Sequence, residues 1–259
     1  FNGDGRDEVG VFYRGEWFLD MNGDGRWDDS DLWARLGGPD DLPVTGDWDG
    51  DGKDDIGVFG PIWPGDLRAI EAEPGLPDTE NVARRKPKNV PPAEREATDG
   101  QRLLQHTSGG HRRADLIDHV FRYGVARDKP VAGDWNGDGV SSIGVFRDGQ
   151  WRLDANADGR WRSGEDQLHQ FGAAGDLPVV GDFDGDGVSN IGVYRPGSDG
   201  QPGVWMLDMN QNRELDARDK VFEMGGAGDQ PVTGDWDGDG VDEVGLYRPG
   251  DSGPQLRGS

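Results

Sequence analysis

The sequence predicts an all-β protein, a β-propeller built from about five four-stranded repeats of about 48 residues each. Three observations predict this fold. A unit with a period in the propeller range recurs along the chain, short β-branched and aromatic runs are bounded by Gly and Asp turns, and no segment keeps a helical apolar period for long. Units that each supply about four short strands are typical of propeller blades.

The repeat is carried by a glycine- and aspartate-rich unit. GDWDGDGKDDIGVF begins at Gly46, close copies begin at Gly133, Gly181 and Gly234, and FNGDGRDEVGVF at Phe1 lacks the first residues of the unit. The spacing from Gly133 to Gly181 sets the period. We number the units 1 to 5 along the chain.

The chain is predicted to be one repeat domain over residues 1–259, with units starting near 1, 46, 133, 181 and 234. The long step between the second and third units indicates an irregular insertion at about 66–100, which reads as a surface loop. The length without this insertion is not a whole number of units. The ends therefore complete one shared blade, or the sequence is a fragment of a larger ring.

Each unit opens with an acidic loop, which we call the first-half loop. In unit 2, Asp47, Asp49 and Asp51 stand at positions 1, 3 and 5, the carbonyl of Lys53 at position 7 and Asp55 at position 9. Alternate side chains of a tight loop point inward, and Ca2+ takes about 6–8 oxygen ligands in such loops. Zinc is disfavoured because the chain has no Cys and the loops no His, and Mg2+ is the weaker rival because it keeps more waters.

The other first-half loops keep these positions with graded fidelity. Their candidate ligands are Asn2, Asp4 and Glu8 in unit 1; Asp134, Asn136, Asp138 and Val140 in unit 3; Asp182, Asp184, Asp186, Val188 and Asn190 in unit 4; and Asp235, Asp237, Asp239, Val241 and Glu243 in unit 5. Unit 3 has only Ser142 at position 9, so weaker binding is expected there.

A second acidic loop, the second-half loop, follows in units 1, 3 and 4 with the spacing of an EF-hand loop. Its candidate ligands are Asp20, Asn22, Asp24, Arg26 (carbonyl), Asp28 and Asp31; Asp154, Asn156, Asp158, Arg160 (carbonyl) and Glu165; and Asp208, Asn210, Asn212, Glu214 (carbonyl), Asp216 and Asp219. Arg162 at position 9 of unit 3 and Arg213 at the glycine position 6 of unit 4 depart from the pattern. Unit 2 has His106, Ser108 and Gly110 instead of a ladder.

The charge and composition of the chain limit the kinds of partner that it is expected to bind. The chain carries 51 acidic and 27 basic residues, a formal net charge of -24, so it would not be drawn to nucleic-acid phosphates, and bound cations would relieve its self-repulsion. It contains no Cys, and no apolar run approaches a membrane span. A single acidic ladder could be an ordinary DG turn, but repetition at matched positions favours metal sites.

The unit resembles a known family of calcium-binding repeats. GDWDGDGKDDIGVF, followed by GxWxLDxNxDG and a bulky residue plus Gly, is similar to the FG-GAP or VCBS-type repeat, whose integrin relatives hold calcium in DxDxDGxxD loops of a β-propeller. The resemblance covers most of the chain outside the insertion. It implies an extracellular or cell-surface module that binds several Ca2+ ions, often within a larger adhesive protein. The second ladder, the insertion and the incomplete ends depart from the family pattern.

The expected function is therefore that of a structural or adhesive repeat module that contacts another protein, a surface glycan or copies of itself. The alternative is a lectin-like propeller that stacks a polysaccharide on the less regular Trp27, Trp33, Trp63 and Trp161. An enzyme is not expected, because none of the four His residues accompanies a recognisable nucleophile motif.

Overall fold

A computed structural model describes residues 1–37, 39, 41–48, 50–59, 103–106, 118–121, 123–124, 127–157, 161–198, 200–248 and 255–258. Over these residues every regular element is a β-strand and there is no α-helix, so the all-β prediction is confirmed. None of them forms a helix with the length and apolar character needed to cross a membrane. The predicted insertion at about 66–100 lies outside the described residues.

The strands assemble into five small sheets, which we number after the repeat units. Sheet 1 runs in the order β1 (Gly10–Tyr13), β2 (Glu16–Leu19), β3 (Leu32–Arg35), β6 (Leu103–His106). Sheet 2 runs β4 (Leu42–Gly46), β5 (Asp55–Phe59), β7 (Asp118–Phe121). Sheet 3 runs β8 (Lys129–Gly133), β9 (Ser142–Arg147), β10 (Gln150–Leu153), β11 (Gln167–Gln170). Sheet 4 runs β12 (Leu177–Gly181), β13 (Asn190–Arg195), β14 (Val204–Leu207), β15 (Lys220–Glu223). Sheet 5 runs β16 (Gln230–Gly234), β17 (Glu243–Arg248), β18 (Gln255–Gly258).

One register recurs between the first two strands of sheets 2 to 5. A valine always lies opposite a glycine, as in Val131 and Gly144, and the other pairs are Val44 and Gly57, Val179 and Gly192, and Val232 and Gly245. A Cβ at Gly144 would lie 2.9 Å from Val131 Cγ2 and 2.8 Å from Leu153 Cδ2. The glycine of the repeated IGV motif is therefore required because two side chains close over its backbone.

The hydrophobic core lies between neighbouring sheets. One cluster joins Trp151 and Phe171 of unit 3 to Ile191 and Val193 of sheet 4. Trp151 is fully buried, lies edge-on to Phe146 with ring centroids 4.9 Å apart, and donates from Nε1 to the carbonyl of Phe171 at 2.9 Å. The equivalents Trp17 and Trp205 are buried as well. The recurring tryptophans thus serve packing, as their regular spacing predicts.

Unit 2 departs from the four-strand pattern. By the repeat period β6 corresponds to β10, the third strand of a sheet, but it pairs with β3 of sheet 1 instead of β5. β7 then lies directly beside β5. Because one strand of the antiparallel meander is skipped, this pairing is parallel. The four-strand prediction holds for units 3 and 4, whereas sheets 2 and 5 contain three strands in the described part of the chain.

Ion pairs between a buried aspartate and a partly exposed arginine fix the turn before the first strand to the end of the second. Asp176 is buried and accepts from Arg195 Nε at 2.8 Å and Nη2 at 2.9 Å. Asp128 with Arg147, and Asp229 with Arg248, repeat the pairing in sheets 3 and 5. In bidentate geometry of this kind, two parallel N–H···O bonds fix the orientation of the arginine relative to the carboxylate in addition to attracting it.

Trp151→Ala should lower the free energy of unfolding by about 3–5 kcal/mol, because the substitution leaves a cavity and removes the Nε1 hydrogen bond. Urea denaturation measures this loss. The control Leu168→Ala on the neighbouring β11, whose side chain is 54% exposed, should stay within about 0.5 kcal/mol of the parent. Equal losses for the two variants would contradict a core centred on the tryptophan.

Candidate functional site

Each complete first-half loop closes around its position-1 carboxylate. In unit 4, Asp182 Oδ1 accepts the backbone N–H of Gly185 at 2.7 Å, and Oδ2 accepts that of Gly187 at 2.8 Å. Both glycines have positive φ, 75° and 83°, a conformation that lets successive amides converge on one anion. Asp47, Asp134 and Asp235 accept the same bonds in their units.

Two of these loops bring three carboxylates together. In unit 4 one oxygen from each of Asp182, Asp184 and Asp186 lies within 4.8 Å of the others, and Asp235, Asp237 and Asp239 repeat the cluster in unit 5. Desolvation, followed by the repulsion of Asp186, raises the pKa of Asp184. Positions 1, 3 and 5 thus form a compact set of hard oxygen donors, as a divalent cation requires.

The loops of units 1 and 3 reduce this repulsion with an amide at position 3. Asn136 Nδ2 donates to Asp138 Oδ2 at 3.1 Å, and Asn2 Nδ2 donates to Asp4 Oδ2 at the same distance. In unit 2 Asp47 and Asp51 are described, whereas Asp49 lies outside the described residues. The acidic clusters observed among the described residues are therefore those of units 4 and 5.

Positions 7 and 9 have structural partners. The position-7 N–H bonds back to the position-5 carboxylate, as from Val188 to Asp186 at 2.9 Å; Lys53, Val140 and Val241 do the same. At position 9, Asn190 is fully buried and its Oδ1 accepts the N–H of Phe183 at 2.9 Å. Asp55, Glu243 and Glu8 accept the equivalent bond, while Ser142 Oγ donates to the carbonyl of Asp154 instead. Metal ligation by these residues stays a prediction.

Position 8 of the first-half loops ties neighbouring sheets together. Ser141 donates its N–H to the carbonyl of Asp47 at 2.8 Å, and its Oγ accepts the N–H of Asp47 at 3.2 Å. The same reciprocal pair links Ser189 to Asp134, Asp242 to Asp182, and Asp7 to Asp235. The metal-ligand pattern did not predict these contacts, although the restriction of position 8 to Asp or Ser in all five units was a visible signal.

Where position 8 is aspartate, its carboxyl is poorly solvated. Burial raises the pKa of Asp242 to about 7, with Asp7, Asp182 and Asp235 adding repulsion. Burial likewise raises the pKa of Asp54 to about 7, with Asp7 as the first like-charged neighbour, and raises the pKa of Asp7 itself. Repulsion from Asp7 therefore acts on both Asp54 and Asp242, which belong to different units.

The second-half loop of unit 1 is closed by two buried carboxylates. Asp20 accepts the N–H groups of Gly23 at 2.9 Å and Gly25 at 2.6 Å. Asp31, fully buried, accepts those of Met21 at 3.1 Å and Asp28 at 2.6 Å. The side chains of Asn22 and Asp24 accept the amides of Asp24 and Arg26 in turn.

The corresponding loop of unit 4 contains its own cation. Arg213 replaces the expected glycine at φ 65°, donates its N–H to Asp208 Oδ2 at 2.8 Å, and places its guanidinium Nη1 3.5 Å from the same oxygen. Burial lowers the pKa of Arg213. The turn therefore forms without glycine, and a guanidinium faces the position-1 carboxylate.

Other carboxylates of this unit 4 loop are also engaged. Asp216 accepts from Arg218, Asn212 and Asn210, and the hydrogen bonds from Arg218, with a smaller one from Asn212, hold its pKa well below the usual range. Asp219 accepts the N–H groups of Met209 and Asp216. At Glu214, whose carbonyl is the predicted ligand, the N–H donates to Asn212 Oδ1 at 2.8 Å, and ligation by the carbonyl stays a prediction.

The loop of unit 3 is one residue longer than predicted. Asp166, not the predicted Glu165, accepts the N–H of Arg162 and so occupies the place that Asp31 has in unit 1. Glu165 lies outside and pairs with Arg162 Nη1 at 3.3 Å and Asn156 Nδ2 at 3.4 Å. Asp154 is fully buried, and Asp158 and Arg160 lie outside the described residues. The spacing counted from Asp154 selected Glu165 instead of Asp166. The loop has one extra residue, but an acidic residue still stands at the predicted position 12, so the acidic pattern gives no sign of the insertion.

Exposed apolar side chains recur at position 8 of the second-half loops. Trp27 is 48% exposed, Trp161 36% and Leu215 54%. The two tryptophans are therefore regular with respect to the repeat, contrary to the expectation from the sequence. Trp27 lies edge-on to Phe18, and Trp161 contacts Tyr123.

His169 is the histidine whose side chain the structure describes. His169 bonds to Gln167 Oε1 at 3.0 Å, and burial lowers its pKa.

Comparison with known proteins adds no family assignment. A scan against protein-family models returned no match for this chain. A search of curated proteins found no matching sequence either.

Asp242→Ser should stabilise the calcium-free protein above pH 7. The folded-state pKa of Asp242 is raised from 3.8 to about 7, so its ionisation costs stability at high pH, and this cost falls as pH drops from about 8 towards 4. Serine retains an acceptor for the amide of Asp182, as in the tie between Ser141 and Asp47. We expect a gain of about 1–3 kcal/mol at pH 8 and a much smaller difference at pH 4.

Urea titrations of parent and variant in EGTA at both pH values measure this effect. The exposed carboxylate variant Glu223→Gln controls for the change in net charge. A gain that does not depend on pH would show that the Asp242 carboxyl is not the group responsible.

Proposed function

We propose that this chain is a calcium-binding structural repeat module, a five-bladed β-propeller that is exposed outside the cell and mediates adhesive contacts. The observation that carries the proposal is the pair of acidic clusters at Asp182, Asp184 and Asp186 and at Asp235, Asp237 and Asp239. Three carboxylates within 4.8 Å repel one another unless a cation or protons neutralise them. The resemblance of the repeat unit to calcium-binding repeats favours calcium as this cation.

Calcium suits these loops better than other metals. All the donors are oxygens, the chain has no Cys, and the loops have no His. The residues that would hold the ion are the side chains at positions 1, 3 and 5, with the position-7 carbonyl and position-9 side chain as further candidates. An ion bound there neutralises charge on a chain whose formal net charge is -24.

The arrangement of the sheets supports a closed ring. The position-8 ties join sheet 2 to 3, 3 to 4, 4 to 5 and 5 to 1. Sheets 1 and 2 are joined differently: Phe1 and Trp17 share a hydrophobic cluster with Ile56 and Val58 of β5. Each sheet thus contacts the next, and the fifth contacts the first, and these contacts support the proposed propeller.

An adhesive function outside the cell is consistent with how the fold is held together. No disulfide is available because the chain has no Cys, and calcium bound to the folded state alone would add stability that grows with the logarithm of its concentration above Kd. Millimolar calcium is an extracellular condition. Binding of a surface glycan is the second candidate, favoured by the exposed Trp27 and Trp161, which lie in the loops of different sheets.

Calcium should raise the thermal unfolding midpoint by several degrees and bind at two or more sites, because only the folded loops gather the carboxylates. Differential scanning calorimetry in EGTA and in millimolar calcium measures the shift, and isothermal titration counts the sites. Asp184→Asn combined with Asp237→Asn should weaken calcium binding at these two sites, because each substitution removes one of the three carboxylate charges. Both side chains are exposed, so the calcium-free fold should be preserved.

Glu223→Gln is the matched control, because it removes an exposed carboxylate outside the loops. It should leave the number of bound ions unchanged. A protein that neither binds calcium nor gains stability from it would refute the proposed function.

Arg213→Gly should create a calcium requirement in the unit 4 second-half loop. It removes the guanidinium beside Asp208 and restores glycine at a positive φ. Without calcium the variant should be less stable, because the buried carboxylate loses its cation. With calcium, titration should count one ion more than in the parent. Arg213→Lys retains the positive charge and should gain no site; an equal gain in both variants would contradict this role of the arginine.

A further inference from the structure

The closing carboxylate of the unit 3 second-half loop differs from its equivalents in one oxygen. Asp31 in unit 1 and Asp219 in unit 4 each accept two backbone amides, one on Oδ1 and one on Oδ2. Asp166 accepts the N–H of Arg162 on Oδ2, whereas its Oδ1 is buried and has no hydrogen-bond partner among the described residues. The longer loop of unit 3 thus leaves one carboxylate oxygen without its usual donor.

A second unsatisfied polar atom belongs to the residue that closes unit 2. Tyr123 is 2% exposed and packs in one hydrophobic cluster with Ile143 and Val145 of sheet 3. Its hydroxyl is buried without a hydrogen-bond partner in the part of the chain that the structure describes. The equivalent residues of the other units are Leu36, Phe171 and Met224. Because none of these carries a hydroxyl, packing at this position does not require one.

The Tyr123 hydroxyl and the carboxylates of the unit 3 loop lie at the same boundary between units 2 and 3. Burial raises the pKa of Tyr123, and the negative charges of Asp166 and Asp154 raise it further. Asp154 is position 1 of this loop and is fully buried. The Tyr123 ring also lies edge-on to Trp161 of the same loop, with centroids 6.5 Å apart. Two departures from the repeat, a free carboxylate oxygen and an added hydroxyl, therefore meet beside one position-1 carboxylate.

Unit 4 has a cationic group at the corresponding place. Arg213 brings Nη1 to 3.5 Å from Asp208, which is the equivalent of Asp154, and the arginine side chain is 10% exposed. The charge of Arg213 also acts on His169 of sheet 3. The guanidinium therefore lies between its own loop and the preceding sheet, which is where Tyr123 meets the loop of unit 3.

The arginine nearest to Tyr123 does not take this part in unit 3. The guanidinium of Arg152 lies over the ring of Trp161, with Cζ 5.9 Å from the ring centroid. Among the described residues it forms no ion pair with Asp154 or Asp166. A water molecule would satisfy the hydroxyl and the free carboxylate oxygen, but it would add no positive charge beside the two carboxylates.

We propose that the unit 3 second-half loop binds a divalent cation at its boundary with sheet 2, with Asp154, Asp166 Oδ1 and the Tyr123 hydroxyl among its ligands. Three oxygen donors, two of them carboxylates, suit Ca2+, and this choice of ion rests on the proposed function. The ion takes the place that the Arg213 guanidinium has in unit 4. It joins two units through their side chains, whereas each first-half loop supplies its carboxylates from one segment.

The test uses the whole chain carrying Asp184→Asn and Asp237→Asn, which weaken the triads of units 4 and 5. Tb3+ is the probe, because it replaces Ca2+ and its luminescence is sensitised by a nearby tryptophan. The part of the luminescence that Trp161→Phe removes reports the proposed site, and it should saturate with Tb3+ and be lost in excess Ca2+.

Asp166→Asn should weaken Tb3+ binding at this site about tenfold or more, because it removes the charge of one ligand. Glu165→Gln is the matched control on the adjacent carboxylate, whose side chain is 58% exposed. It should leave the affinity unchanged. Equal affinities for the two variants would overturn the proposal.

Tyr123→Phe removes the hydroxyl alone and should weaken Tb3+ binding about threefold or more. Its unfolding midpoint in EGTA should stay within about 2 °C of the parent, because the hydroxyl has no partner in the metal-free protein. Tyr13→Phe, the same change at an exposed side chain, should bind normally. A Tyr123→Phe variant that lowers the midpoint and leaves the affinity unchanged would show a hydroxyl bonded within the protein and would overturn the proposal.

Absence of the Trp161-dependent luminescence would likewise overturn the proposal, since a water molecule at this boundary gives that result. If Tyr123→Phe fails to fold, Asp166→Asn and Glu165→Gln decide. Calcium binding at the triads without binding here would overturn this inference alone. Binding here without binding at the triads would contradict the proposed function at its main sites.

Discussion

The aspartate at position 1 of the first-half loop is the residue on which most of the structure depends. In unit 4 the two side-chain oxygens of Asp182 hold the loop amides, its carbonyl accepts the N–H of Asp242, and its own N–H bonds to the Asp242 carboxyl. One residue therefore shapes its own loop and joins two sheets. Because the same arrangement occurs in four units, substitutions at this position would affect loop and seam together.

The acidity of the chain is largely used to accept backbone hydrogen bonds. The buried carboxylates of Asp31 and Asp20 each accept two backbone amides. The exceptions are the position-8 carboxyls and the exposed members of the triads, where charge is not balanced locally. Unit 4 resolves the same problem with Arg213. The negative charge of the loop carboxylates is thus met in three ways: by backbone amides, by a guanidinium, or by a site suited to a cation.

Local features of the fold were predictable from the sequence because they repeat. Strands such as β9 and β13, and the burial of Trp151, follow from short apolar runs at a fixed period. Pairings between units were not predictable in this way. β6 has the sequence position of a third strand of sheet 2, but it pairs with β3 and extends sheet 1. Which sheet a strand joins depends on which sheet has an unpaired edge strand, and the repeat pattern does not contain this information.

The candidate sites were predictable to a similar degree. Spacing alone identified the residues that form the triads, since one loop supplies all the donors. The spacing did not identify Asp166 as the carboxylate that closes the unit 3 loop. A one-residue insertion shifts this role to Asp166, while the acidic Glu165 still stands at the predicted position. The spacing also missed Ser141 and its equivalents, whose partners lie a whole unit away in the chain.

Tyr13 of sheet 1 stands where sheets 3, 4 and 5 have an arginine. Arg147, Arg195 and Arg248 at this position each hold a buried aspartate beside the first strand, whereas Tyr13 is exposed. In an array whose units are stabilised mainly by their neighbours, unfolding starts at the weakest boundary and spreads from there. The arginine–aspartate pairs therefore add resistance to heat or tension in sheets 3, 4 and 5 that Tyr13 does not give to sheet 1.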